Sequence, residues 1–107
     1  MNKWLAALAL LVAFPAVPAA TSQTPGTIRI GNFTFAPATL EVPAGTSVVF
    51  VNEDDVPHTV VGSDRDSPLK SPALDTDDRY SVKLTQPGTY HYFCSLHPRM
   101  TGVVIVK

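Results

Sequence analysis

From residue 27 onward, apolar residues recur at every second position in short runs broken by Pro and Gly, and no helical period outlasts a single turn. Thr27 to Ile30 is a β-favouring run, and Asn32 to Phe35 reads as its continuation after Gly31. Thr39 to Val42 places Leu40 and Val42 on one face, ahead of a turn at Pro43-Ala44-Gly45. Ser47 to Asn52 contains the almost unbroken run Val48-Val49-Phe50-Val51, the pattern of a strand covered on both faces. His58 to Gly62 predicts a further short strand. Tyr80, Val82 and Leu84 alternate with Ser81 and Lys83, then Gln86-Pro87-Gly88 turns the chain into Thr89 to Cys94, and Gly102 to Val106 closes it. Gly62 to Asp78, with Pro68, Pro72 and five of the seven aspartates, predicts a solvated connection with no more than one turn of helix. Seven or eight short strands without repeats predict an all-β domain, an antiparallel β-sandwich with crossed connections.

The first twenty residues break this pattern. Asn2 and Lys3 precede an apolar stretch from Trp4 to Phe14, and Pro15 to Ala20 supplies the small residues of a cleavage region after Ala19 or Ala20. The stretch is well short of the roughly 20 residues a spanning helix needs, so it predicts a signal peptide rather than an anchor. The expected organisation is a signal peptide over 1–20, a flexible leader over 21–26 and one domain over 27–107. No cysteine follows the signal for lipid attachment and no Arg pair marks the twin-arginine route, so general secretion to the periplasm is expected, without membrane insertion after cleavage.

Composition then narrows the chemistry. Removing Lys3 with the signal leaves seven basic residues against nine acidic ones, a net charge of −2 with no basic stripe, which argues against nucleic acid as a partner. Cys94 is the only cysteine, and in an oxidising compartment it has no partner for an internal bridge. It opens the run Cys94-Ser95-Leu96-His97-Pro98-Arg99-Met100, a C-x2-H-x2-M pattern that places a thiolate, an imidazole and a thioether within seven residues. His58, after Pro57, is a fourth candidate. Strand periodicity turns Tyr90, Tyr92 and Cys94 to one face and His91 and Phe93 to the other, so His91 reads as a surface histidine.

Each donor taken alone has an ordinary explanation: a buried Cys or Met fills a core, and a loop His is common. Together, two imidazoles, a thiolate and a weak thioether form the donor set of a mononuclear blue-copper centre. Such a set suits neither Cu(I) nor Cu(II) fully and changes little between them, which favours fast electron transfer. Zinc can be held by Cys and two His, but Met100 offers it nothing it prefers. Pro98 stiffens the loop and Pro57 fixes the approach to His58.

Gly88-Thr89-Tyr90-His91-Tyr92-Phe93-Cys94-Ser95-Leu96-His97 resembles the ligand strand and loop of cupredoxins, particularly plastocyanins and amicyanins. Val51-Asn52 through Pro57-His58 resembles their first-histidine segment. The likeness runs over about Thr27 to Lys107, and the compact His97-Pro98-Arg99-Met100 spacing is nearest to amicyanin. The resemblance implies a Greek-key β-sandwich that carries one type 1 copper and shuttles single electrons. It implies His58, Cys94 and His97 as equatorial ligands, Met100 as the axial one, and Thr59 and Ser95 as hydrogen-bonded links between the two ligand segments. His97, exposing its ring edge through an apolar patch, and Phe93 would be the electron routes. The implied partners are redox proteins: a dehydrogenase or cytochrome as donor, a cytochrome or oxidase as acceptor; nothing in the sequence requires more than a monomer. Two positions depart from the pattern. Thr59 replaces a common Asn, which alters the hydrogen bonding. Arg99 replaces a common apolar residue, which places a positive charge beside the electron port and suits a more acidic docking surface than that of methylamine dehydrogenase.

Two other functions compete. A carrier that delivers or stores copper would offer several exposed Met or His, whereas this chain has three His and, besides Met1, one Met. An oxidase or nitrite reductase needs a second copper with several imidazoles, and only His91 is left for it. The acidic groups Glu53-Asp54-Asp55 and Asp75 to Asp78 read as a solvated face or a docking surface rather than as a catalytic pair.

Overall fold

The computed structural model describes residues 26–107. The signal peptide expected over 1–20 lies outside the described residues, as does all of the leader but Gly26. Gly26 belongs to the fold: it is buried, and its carbonyl accepts the Val49 N–H at 2.8 Å.

Eight strands follow: β1 Thr27–Gly31, β2 Thr34–Ala36, β3 Thr39–Val42, β4 Thr46–Asn52, β5 Val61–Gly62, β6 Arg79–Leu84, β7 Gly88–Phe93 and β8 Thr101–Val106. They form two four-stranded sheets, in the orders β2-β1-β4-β6 and β3-β8-β7-β5. The expected sandwich is present, with one refinement. Each sheet is mixed, because β1 runs parallel to β4 and β3 parallel to β8. Parallel neighbours cannot be joined by a hairpin, and the path from β1 to β4 runs through β3 of the other sheet.

The alternation read from the sequence explains which faces meet. Ile28, Ile30, Val48 and Phe50 point inward from the first sheet, and Tyr92, Val104 and Val106 from the second, into one apolar core. Tyr92 joins the layers, its ring 4.7 Å from that of Phe35 and 5.2 Å from that of Phe50, both edge to face. Its cross-strand partner is Gly102, where a Cβ would fall on the Tyr92 ring and hydroxyl.

Three expectations need correction. Asn32 to Phe35 does not extend β1; Asn32 and Phe33, at φ 51° and 58°, turn the chain back so that β2 pairs antiparallel with β1. Two successive positive φ values suit the right-handed twist of a tight hairpin. His58 to Gly62 is a strand only at Val61–Gly62; His58 instead pairs singly with Leu74. The connection over 62–78 has no helical turn, and it is not merely solvated, since Leu69 and Leu74 are buried in the core.

Candidate metal centre

His58 lies in the connection between β4 and β5 and Cys94 just past the end of β7, and each is delivered by its own local device. After β4, the buried Asn52 side chain organises the loop: Nδ2 donates to the carbonyls of Val56 (2.9 Å) and Leu74 (2.8 Å), and Oδ1 accepts the Asp54 N–H (2.9 Å). The His58 and Leu74 backbones then exchange hydrogen bonds of 3.0 and 2.7 Å, which fixes the point where His58 turns inward. Cys94 follows β7 directly. From there the three-residue spacing makes two successive turns, His97 N–H to Cys94 O (3.2 Å) and Met100 N–H to His97 O (2.8 Å), closed by Cys94 N–H to Met100 O (3.1 Å). Each residue of the Cys-His-Met pattern therefore begins or ends a turn, and all three side chains lie on one loop that hands over to β8.

His58 and Cys94 have no solvent exposure, Met100 is buried and His97 is half-buried. His58 Nδ1 lies 3.7 Å from Cys94 Sγ, and the His58 and His97 ring centroids are 5.1 Å apart. Among the described residues no group of three or more His, Cys, Asp or Glu side chains is placed to hold a metal ion, and the donor contacts present are the His58–Cys94 pair and the neighbouring His58 and His97 rings. Metal–sulfur and metal–nitrogen bonds of about 2.3 and 2.0–2.1 Å set two tetrahedral ligands about 3.6 Å apart, close to the separation of His58 and Cys94. The donor types fit copper: imidazole and soft sulfur, with no carboxylate among them.

The two ring nitrogens of His58 have different neighbours. Nε2 is 2.7 Å from Asp54 Oδ2, and a carboxylate only accepts, so Nε2 is the donor in that contact and Nδ1 is the nitrogen turned toward the sulfur. Around Cys94, burial alone would push the thiol up. The Thr59 N–H (3.3 Å from Sγ), His58, the Leu96 N–H and the Thr59 hydroxyl (3.8 Å) outweigh it and favour the thiolate that a metal requires. Thr59 Oγ1 also accepts the Ser95 N–H at 2.7 Å and meets Ser95 Oγ at 2.7 Å, so one hydroxyl ties the two ligand segments together. At the surface the half-buried His97 stands between two exposed apolar side chains, Phe33 and Leu96, with Pro98 and Arg99 beside them. Phe93 is half-buried on the opposite side of β7 from Cys94, and His91 is exposed.

A profile of the family described as Cupredoxin-like domain matches residues 4–106. The chain belongs to the cupredoxin-like family. It is 34% identical over 83 residues to amicyanin-alpha of Methylorubrum extorquens, the match covering 75% of this chain and 70% of that protein. A purple cupredoxin from Nitrosopumilus maritimus superposes with a TM-score of 0.70 at 34% identity, covering 77% of this chain and 99% of the other. A copper-containing nitrite reductase from Thermus scotoductus superposes with a TM-score of 0.72 at 38% identity; 87% of this chain is covered, but only 25% of that longer one.

Two residues at this site were not found in the sequence. Asp54 stands in an acidic run that reads as a solvated face, yet its side chain is 13% exposed and meets His58. Phe33 falls in a run that reads as strand, yet it stands edge-on to both His58 (5.5 Å) and His97 (5.0 Å). Gly31-Asn32 was the available signal for Phe33, since Gly and Asn mark tight turns. Asp54 had none: its role depends on a loop path that spacing does not reveal.

Proposed function

We propose that this protein is an exported, periplasmic one-electron carrier with a single type 1 copper, ligated by His58, Cys94 and His97 with Met100 as the weak axial donor. The observation that carries the reading is the buried pair in which His58 Nδ1 lies 3.7 Å from the Cys94 sulfur. Bound there, copper would supply a one-electron couple between Cu(II) and Cu(I).

The chain's residues account for the rest. His58, Cys94 and Met100 are shielded from water, so little solvent has to reorganise when charge changes. The Thr59–Ser95 tie links the His58 and Cys94 segments, which would limit their movement when the charge on copper changes. His97 alone reaches the surface, between Phe33 and Leu96, which makes its ring edge the exit toward a partner; Phe93 offers a second route. Arg99 beside that edge favours a redox partner with acidic groups around its own cofactor.

The main alternative is copper delivery or storage. It is disfavoured because an incoming acceptor finds three of the four donors buried. The nitrite reductase likeness covers a quarter of that longer chain, and His91, the remaining histidine, is exposed and faces away from Cys94. Voltammetry on protein loaded with one copper per chain tests the reading. A reversible one-electron wave with copper retained over repeated cycles is expected; copper lost on reduction would instead identify a delivery protein.

A further inference from the structure

Asp54 makes more contacts than its place in an acidic run suggests. Its Oδ1 accepts the Asn32 N–H (2.6 Å), its Oδ2 accepts the Phe33 N–H (3.0 Å), and the same Oδ2 lies 2.7 Å from His58 Nε2. Its own backbone is pinned as well, N–H to Asn52 Oδ1 (2.9 Å) and carbonyl to the Thr76 hydroxyl (2.6 Å). The Phe33 N–H foremost holds this carboxyl below its usual value; burial opposes, and His58 and the Asn32 N–H add to the lowering. One carboxylate therefore closes the β1–β2 turn, seats Phe33 against both histidines and contacts the ring nitrogen of His58 that faces away from Cys94.

We propose that Asp54 is a positioning residue that tunes the centre: its carboxylate, accepting the His58 Nε2–H, makes Nδ1 a stronger donor and biases a bound copper toward Cu(II). The inference rests on the copper reading above. A carboxylate behind a ligating imidazole raises ligand basicity, and the more highly charged ion gains more from the stronger donor and the nearby negative charge. Reduction adds one electron from the redox partner to Cu(II), giving Cu(I), and Nε2 keeps its proton in both states. Asp54→Asn keeps the shape and removes the charge, but its amide can accept on one side only, so one of the three donors now faces an N–H.

The test compares wild type and Asp54→Asn as copper-loaded protein, measuring Cu(II) and Cu(I) affinities by chelator competition and the midpoint potential directly. Removing such a partner costs about 10–100-fold in metal affinity. The proposal expects that loss for Cu(II), a smaller one for Cu(I), and a potential that rises by about 59 mV for each tenfold difference between them. Equal losses in both states with an unchanged potential would mean that Asp54 only props the loop, and would overturn the proposal. Nuclear magnetic resonance of wild-type Cu(I) protein keeps the question decidable if the variant does not fold. A His58 Nε2–H protected from exchange and shifted downfield by its carboxylate partner supports the proposal; a proton exchanging like that of a free imidazole overturns it. The wild-type spectrum reports separately on the copper reading, because a reversible blue centre whose potential is indifferent to Asp54 sinks only the tuning role.

Discussion

Tyr92 shows how one residue can be well packed and poorly satisfied at once. Its ring bridges the two sheets, but its hydroxyl is buried without a hydrogen-bond partner among the described residues, and burial raises its pKa well above the ordinary value. A buried unpaired hydroxyl costs about 1–3 kcal/mol, whereas the ring contacts survive its removal. Tyr92→Phe is therefore expected to raise stability by about 1 kcal/mol in urea unfolding of the metal-free protein, and a loss would show that the hydroxyl has a partner. Asp54 behaves oppositely. Its carboxyl is held below the usual carboxylate range, so folding favours the carboxylate. That contribution is complete above the unfolded value and is lost as pH falls through the lower folded one. In unfolding titrations of the metal-free proteins, the stability difference between wild type and Asp54→Asn should shrink below about pH 4. A difference that stays constant to lower pH would contradict the depressed value.

At the scale of elements, the loop between β4 and β5 depends on Asn52 more than on its own sequence. Three hydrogen bonds from one fully buried side chain fix Asp54, Val56 and Leu74, and through them His58. Asn52→Ala leaves those backbone groups unpaired and should cost about 3 kcal/mol in chemical denaturation, from unsatisfied groups at roughly 1–3 kcal/mol each. A cost under half that would show that water replaces the side chain. Gly102→Ala forces a Cβ into the Tyr92 ring, and overpacking of this kind costs about 1–3 kcal/mol. The strands themselves were legible because alternation reports a half-buried sheet face directly, as in Tyr80 to Leu84 and Thr89 to Cys94. What spacing could not show was direction. Nothing in Thr27 to Ile30 or Thr39 to Val42 says that β1 and β3 each lie parallel to a distant strand. The turn at Asn32 and Phe33 was hidden because Phe at a positive φ is unusual, and the contacts that stabilise it come from Asp54, more than twenty residues away.

For the molecule as a whole, the fold and the centre are separable. Of the buried apolar core only Cys94 and Met100 belong to the proposed ligand set; Ile28, Phe50, Tyr92 and Val104 and their neighbours pack without it. Stripping copper with a chelator should therefore leave the β circular dichroism intact and lower the melting temperature, since a ligand at 100 times its Kd adds about 2.7 kcal/mol. Global unfolding on metal removal would place the core's stability in the site instead. No helix among the described residues is long and apolar enough to cross a membrane. The candidate ligands were legible because Cys94, His97 and Met100 are rare residue types set close together, and the turns that begin at Cys94 and His97 give that spacing its geometry.

The central claim is that the Cys94 thiolate binds a copper shared with His58, and the visible spectrum of the Cu(II)-loaded protein tests it most directly. The account predicts an intense blue thiolate-to-copper band that ascorbate bleaches, reoxidation restores and Cys94→Ser abolishes. A folded, copper-loaded protein without that band, or a Cys94→Ser variant that keeps it, would contradict the account.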